Sequence, residues 1–85
     1  MHVLFVIDPL LSLKAYKDSS VAMMRALQAR GHTLSVALLG DLYIDEGTVK
    51  AATTAIDLPA GADLHGHAWW NERGSRTESP LASFD

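Results

Sequence analysis

Apolar residues run unbroken from Val3 to Ile7, with no polar position alternating among them. A strand of that pattern is expected to be covered on both faces, as in a parallel sheet with helices packed over it. Asp8-Pro9 stops the run, because proline has no N–H for a sheet ladder and keeps the preceding residue extended. After a polar loop, Lys17-Asp18-Ser19-Ser20 opens a helix that extends to about Arg30, with Asp18 or Ser19 as cap and Gly31 as the stop. Met23, Met24 and Leu27, with Ser20 one turn earlier, define the stripe expected to lie on the sheet, while Arg25 and Gln28 face solvent. Ala22, Ala26 and Ala29 add helix propensity. The adjacent methionines read as flexible core fillers rather than a ligand surface. Thr33 to Leu39 is mostly apolar again and predicts a second strand, joined to the first by a right-handed crossover. Residues 1–39 therefore read as one βαβ unit.

Residues 40–57 have a different rhythm. Asp41-Leu42-Tyr43-Ile44 and Thr48-Val49-Lys50 are rich in β-formers, and Asp45-Glu46-Gly47 between them predicts a hairpin with a three-residue, G1-bulge connection. Thr53 to Ile56 extends the second arm, and the hairpin is expected to project from the edge of the βαβ layer. From Leu58 periodicity fails: Pro59, Gly61, Gly66, Gly74, Ser75, Ser79 and Pro80 predict an irregular tail over 58–85, with one short helical turn near Trp69. Trp69-Trp70 needs a surface to pack on, either the sheet or a partner's interface. Pro80 to Asp85 resembles the lead-in to a further strand, so the chain is expected to continue. The whole reads as an α/β fold: a Rossmann-like βαβ half domain with an appended β-hairpin and an irregular C-terminal tail.

Size and charge narrow the function. Eighty-five residues make one small domain that hides only about 60% of the surface its unfolded chain exposes. The chain has no cysteine, which removes disulfides, thiolate metal sites and thiol catalysis. The net charge is −3 with acids and bases interspersed, which argues against nucleic acid or an anionic membrane as partner. The apolar run at the start is too short to span a bilayer and lacks a positive leader. A soluble, cytoplasmic domain is expected.

The candidate chemistry gathers where the first strand ends. In open parallel sheets ligands collect there, beside the start of the following helix, whose free N–H groups and partial positive charge favour carboxylate or phosphate. Lys17 adds a cation, Ser19 and Ser20 add hydroxyl donors, and Asp8 can orient an amine. The plainer roles are a loop cap for Asp8, an N-cap for Asp18 and a solvated charge for Lys17. No G-x-G-x-x-G or G-x-x-x-x-G-K-[ST] occurs, so no nucleotide site is indicated. His65-Gly66-His67 offers two imidazoles but no third ligand, and reads as a polar loop rather than a metal site. No G-x-S-x-G elbow is present, and no catalytic residue is assigned.

Taken together, Ile7-Asp8-Pro9, Lys17-Asp18-Ser19-Ser20 and Gly40-Asp41-Leu42-Tyr43 resemble, in order and spacing, the amino-terminal domain of bacterial glutathione synthetases. The segment Met23 to Gly31, closing on Gln28-Ala29-Arg30-Gly31-His32, and the final Pro80-Leu81-Ala82-Ser83-Phe84-Asp85 extend the likeness over nearly the whole chain. The resemblance implies the pre-ATP-grasp domain of an ATP-grasp ligase that joins γ-glutamylcysteine to glycine, using ATP and magnesium, to give glutathione. In such a reaction ATP phosphorylates the cysteinyl carboxylate and the glycine amine attacks the acyl phosphate. The ATP clamp and magnesium carboxylates belong to later domains of that family. This segment would supply one wall of the substrate cleft and part of a homo-oligomer contact, without activity, ATP or Mg2+ of its own. Asp8, Lys17, Ser19 and Ser20 are then the expected substrate contacts, with Asp41 and Tyr43 assigned to structure. Two other readings stay open on the residues alone. One is a free-standing Rossmann- or flavodoxin-like module binding a small anion or a protein; the other is a scaffold that docks through Trp69-Trp70.

Overall fold

The computed structural model describes residues 1–62, 64–66 and 68–85. Strand β1 (His2–Val6) pairs parallel with β2 (Thr33–Ala37), in a register running from His2 opposite Thr33 to Val6 opposite Ala37. Helix α1 (Ser19–Ala29) connects them, so the βαβ unit is present as the sequence predicts. The helix begins at Asp18, whose carboxylate accepts the Val21 N–H at 3.1 Å. It ends in a Schellman pattern: His32 N–H donates to the Leu27 carbonyl, Gly31 N–H donates to that of Gln28, and Gly31 takes φ +86°.

The stripe of α1 that meets the sheet is turned from the expected one. Val21 and Met24 are fully buried and Leu27 packs against the same core, whereas Met23 is 56% exposed. One residue is about 100° of helix rotation, so Met23 and Met24 cannot share a buried face this narrow. Gln28 is not solvent-directed either. Its amide nitrogen donates to the Leu58 carbonyl and its amide oxygen accepts the Leu58 N–H, both at 2.7 Å. A side chain thereby satisfies both backbone groups of a residue just past the end of the sheet.

Strands β3 (Leu42–Asp45) and β4 (Thr48–Asp57) form the predicted hairpin, but with a tighter turn. Asp45 pairs with Thr48, leaving a two-residue loop of Glu46 (φ +49°) and Gly47 (φ +81°). Two positive φ values in succession make a type I′ turn, whose twist matches that of the strands, and no bulge is needed. The hairpin projects from the layer only in part. The second half of β4 runs antiparallel to β2, with Leu34 opposite Ile56 and Val36 opposite Thr54. Only the first half of β4, with β3, extends past β2.

The tail departs most from expectation. Residues 71–72 and 77–80 are not irregular: β5 (Asn71–Glu72) pairs with the end of β4, and β6 (Thr77–Pro80) pairs with Lys50 to Thr53. Arg73 N–H bridges the two, donating to the Ala55 carbonyl at 2.7 Å. These residues are mostly exposed and carry no amphipathic pattern, so their strand character comes from the open backbone groups of β4. Among the described residues the sheet has six strands, β4 at its hub. Short 3-10 turns follow β1 (Leu10–Ser12), β2 (Leu39–Asp41) and β6 (Leu81–Ser83), whereas the described residues around Trp69 form no helical turn.

Among the described residues Trp69 is the largest fully buried side chain. It joins Val21, Met24, Leu34, Val36 and Ile56 in the core, with Trp70 edge-on at 5.0 Å. The pair folds back on the sheet, which removes Trp69 from any docking surface. The opposite sheet face is less covered: β1 is half-buried rather than enclosed, and Val6 is 43% exposed. There the His2 imidazole bonds the Ser35 hydroxyl at 2.9 Å and meets the Phe84 ring edge-on. No helix among the described residues is long and apolar enough to cross a membrane.

Candidate functional site

Two openings flank the carboxyl end of β1, and Asp8 borders both. The first, about 470 Å³, runs between the Ile7-Asp8-Pro9 turn, the start of α1 and the end of β2, and is lined by Asp8, Asp18, Ser20, Leu13, Leu38 and Leu39. Proline after Asp8 stops the ladder and turns the chain outward at this point. The structure thus brings Asp8 and Ser20 to one groove and adds Asp18, which the sequence marks as a cap only. Lys17 and Ser19 do not line it. Both are exposed at the helix entrance, with the Lys17 ammonium 5.9 Å from the centre of the Tyr16 ring.

The electrostatics of the groove come from three sources. Ser19 and Ser20 sit in the first turn of α1, where N–H groups have no intrahelical carbonyl, so the helix tip presents donors and partial positive charge. Asp18 has one oxygen committed to Val21. Asp8 is exposed, and the ion pairs among the described residues engage Asp41 and Asp45 rather than Asp8. A donor-rich tip facing a carboxylate suits a ligand carrying both an anionic and a cationic group.

The second opening, about 260 Å³, lies under Trp70 and is walled by Ile7, Leu10, Val36 and Ala52. Its charged residues are Asp8, Asp41, Glu72 and Arg76. Asp41 is engaged twice: one oxygen accepts the Leu38 N–H at 3.0 Å and the other pairs with the Arg76 guanidinium. Tyr43 donates its phenol hydrogen to Glu78 of β6, and that bond, with the nearby carboxylate charges, pushes its pKa from 10.0 up to about 12. Both residues tie the hairpin region to the tail. Arg76 and Glu72 belong to the tail, and nothing in the local sequence announces their arrival beside Asp41.

Of the His65–His67 pair, His67 lies outside the described residues. His65 stacks on the Tyr16 ring at 4.2 Å. Among the described residues no group of three metal-ligating side chains occurs.

Comparison with known proteins bears on the whole chain. The family model described as the prokaryotic glutathione synthetase, N-terminal domain, matches residues 1–85. The chain belongs to this family. A glutathione synthetase from Bordetella pertussis is 72% identical over all 85 residues, which make up 27% of that protein. One from Neisseria meningitidis serogroup B is 36% identical over the whole chain and 26% of its own length. One from Thermosynechococcus vestitus is 39% identical over 99% of the chain and 28% of its own length. The chain thus spans about a quarter of the length of these synthetases.

Proposed function

We propose that this domain forms one wall of the dipeptide-binding cleft of an ATP-dependent carboxylate–amine ligase, the enzyme that joins γ-glutamylcysteine and glycine into glutathione. The observation that carries the reading is the pairing of a helix tip with a carboxylate across one groove: Ser20 at the start of α1 and Asp8 at the end of β1. The γ-glutamyl end of the dipeptide carries a free α-carboxylate and α-ammonium. The carboxylate suits the donors of Ser20 in the groove, and Lys17 and Ser19, exposed at the entrance, draw it in. The ammonium suits Asp8. Family membership supports the same assignment.

The residues present do not fit ATP or Mg2+. The loop after β1 is Asp8-Pro9 rather than a glycine-rich phosphate cradle, and no trio of metal ligands occurs among the described residues. Phosphoryl transfer is therefore assigned to the remainder of the longer protein, and this domain holds and orients the dipeptide.

The test is steady-state kinetics of the full-length enzyme with each substrate varied in turn. Asp8→Asn is expected to raise KM for the dipeptide about tenfold, the equivalent of about 1.4 kcal/mol, with KM for glycine and ATP unchanged. Lys17→Ala, at an exposed position, is expected to raise it about threefold. An unchanged dipeptide KM in both variants would sink the reading.

A further inference from the structure

Two polar residues among those described are buried, Ser35 at 2% exposure and Thr53 at 4%, and both line one groove of about 240 Å³. It lies on the sheet face opposite α1. Leu34 and Val36 of β2 and Ile56 of β4 belong to the core under the helix, so by alternation Ser35, Ala55 and Thr53 turn to the other side. Ser35 stands between two core residues, where packing alone would be satisfied by an apolar side chain, and a buried hydroxyl is costly unless it is bonded.

The hydroxyls around the groove divide into engaged and unengaged donors. Thr53 donates to the Thr77 carbonyl at 3.2 Å, Thr77 to that of Ser75 at 3.2 Å, and Ser83 to that of Pro80 at 2.7 Å. The hydroxyls of Ser75 and Ser79 have no acceptor among the described residues. Ser35 Oγ lies 2.9 Å from His2 Nε2. With a proton on that nitrogen the imidazole donates, and the serine hydrogen is left for the groove. Arg73 adds a full positive charge. Its N–H is anchored on the Ala55 carbonyl at 2.7 Å, and its guanidinium has no carboxylate partner among the described residues. Arg73, His2 and Ala55 also line an adjoining opening of about 520 Å³. The chain has ten acidic residues, yet none lines either opening; Asp85 is bonded to the His2 backbone instead.

We infer that this groove binds a phosphate group, with Arg73 as its counter-charge and Ser35, Ser75 and Ser79 as hydroxyl donors. Phosphate presents acceptor oxygens on every side and no apolar surface, which matches a groove made of donors without a competing carboxylate. The groove is smaller than the roughly 300–1,000 Å³ of sites that take drug-sized ligands, so it holds the phosphate alone. The adjoining opening, bordered by Thr33, Leu34 and Ile56, has room for the organic part of a monoester. His2 couples to the ligand: an anion beside the imidazole favours its protonated form, the form that frees the Ser35 hydrogen. Asp8 lies past the other end of β1, and phosphate binding here asks nothing of the proposed dipeptide site.

The experiment titrates the isotope-labelled full-length protein with inorganic phosphate, reads it residue by residue by NMR, and repeats it with sodium chloride at matched ionic strength. Saturable shifts are expected at the Ser35 and Ser75 amides and the Arg73 side chain, with a midpoint on the order of 1 mM and no counterpart in chloride. Arg73→Ala, at an exposed position, is expected to weaken binding about tenfold, Arg73→Lys to restore part of it, and Ser35→Ala to weaken it about threefold. Equal shifts in chloride would reduce the effect to screening and overturn the inference, as would an unchanged midpoint in Arg73→Ala. Asp8→Asn is expected to leave the midpoint alone; a weaker one would place the anion in the Asp8 groove and overturn the assignment, whereas an unaltered dipeptide KM in that variant sinks only the dipeptide reading. Glycerol 3-phosphate separates the sources: tighter binding than inorganic phosphate supports the groove as a monoester site, and equal binding supports it as a site for the free ion.

Discussion

The groove beside the start of α1 and the cleft beneath Trp70 share Asp8, yet their charges are committed differently. Under Trp70, Asp41 holds both the Leu38 N–H and the Arg76 guanidinium, and the walls are core side chains. Beside α1, Asp8 has no ion pair among the described residues and borders the same groove as Ser20 in the first turn of the helix. A charge already answered by the fold contributes to stability, and one left unanswered is available to a ligand. The difference separates a seam that binds the tail to the hairpin region from a surface suited to a substrate.

Substitutions in the seam should change stability without changing dipeptide KM, the reverse of Asp8→Asn. The largest effect is expected at Trp69, whose side chain is wholly buried behind the seam. Trp69→Ala should cost about 3–5 kcal/mol, seen as a lower denaturant midpoint for this domain's transition. Asp41→Ala removes a backbone cap and an ion pair whose Arg76 partner is largely exposed, so about 1 kcal/mol is expected. A rise in dipeptide KM in that variant, at unchanged stability, would mean that the second cleft also meets substrate.

The smallest effect concerns Tyr43. Its pKa is raised when folded, so the bond to Glu78 contributes at every pH below the ordinary value of 10.0 and fades as pH climbs through about 12. Phenolate absorbance should show one late-titrating tyrosine in the wild-type protein. In Glu78→Gln that tyrosine should titrate near the ordinary value, and a late tyrosine persisting there would detach the shift from this contact.

The parts legible in the sequence are those set by neighbours in the chain. The β1 run, the Asp18 cap and the Gly31 stop each depend on a few adjacent residues, and the structure has them where the pattern puts them. The hairpin was readable for the same reason. Its turn was not, because Asp45 is either a loop residue or a paired one depending on whether Thr48 stands opposite it. The phase of the α1 stripe was equally hidden: Met23 and Met24 are equivalent by composition, and only the place of the sheet chooses between them. In the site, Asp8 and Ser20 are brought together as nearby elements of one βαβ turn, while Arg76 reaches Asp41 across 35 positions of chain.

Local chemistry alone thus determined the βαβ unit, its capped helix and the polar turn at the end of β1, since backbone conformations and caps are chosen over a few residues. Tertiary structure decided the tail. Asn71-Glu72 and Thr77 to Pro80 become strands because β4 has backbone donors and acceptors left over, and Trp69 becomes core because the sheet and α1 leave a space that it fills. An unmet hydrogen bond and an unfilled volume belong to the assembled fold, and no stretch of the chain carries either by itself.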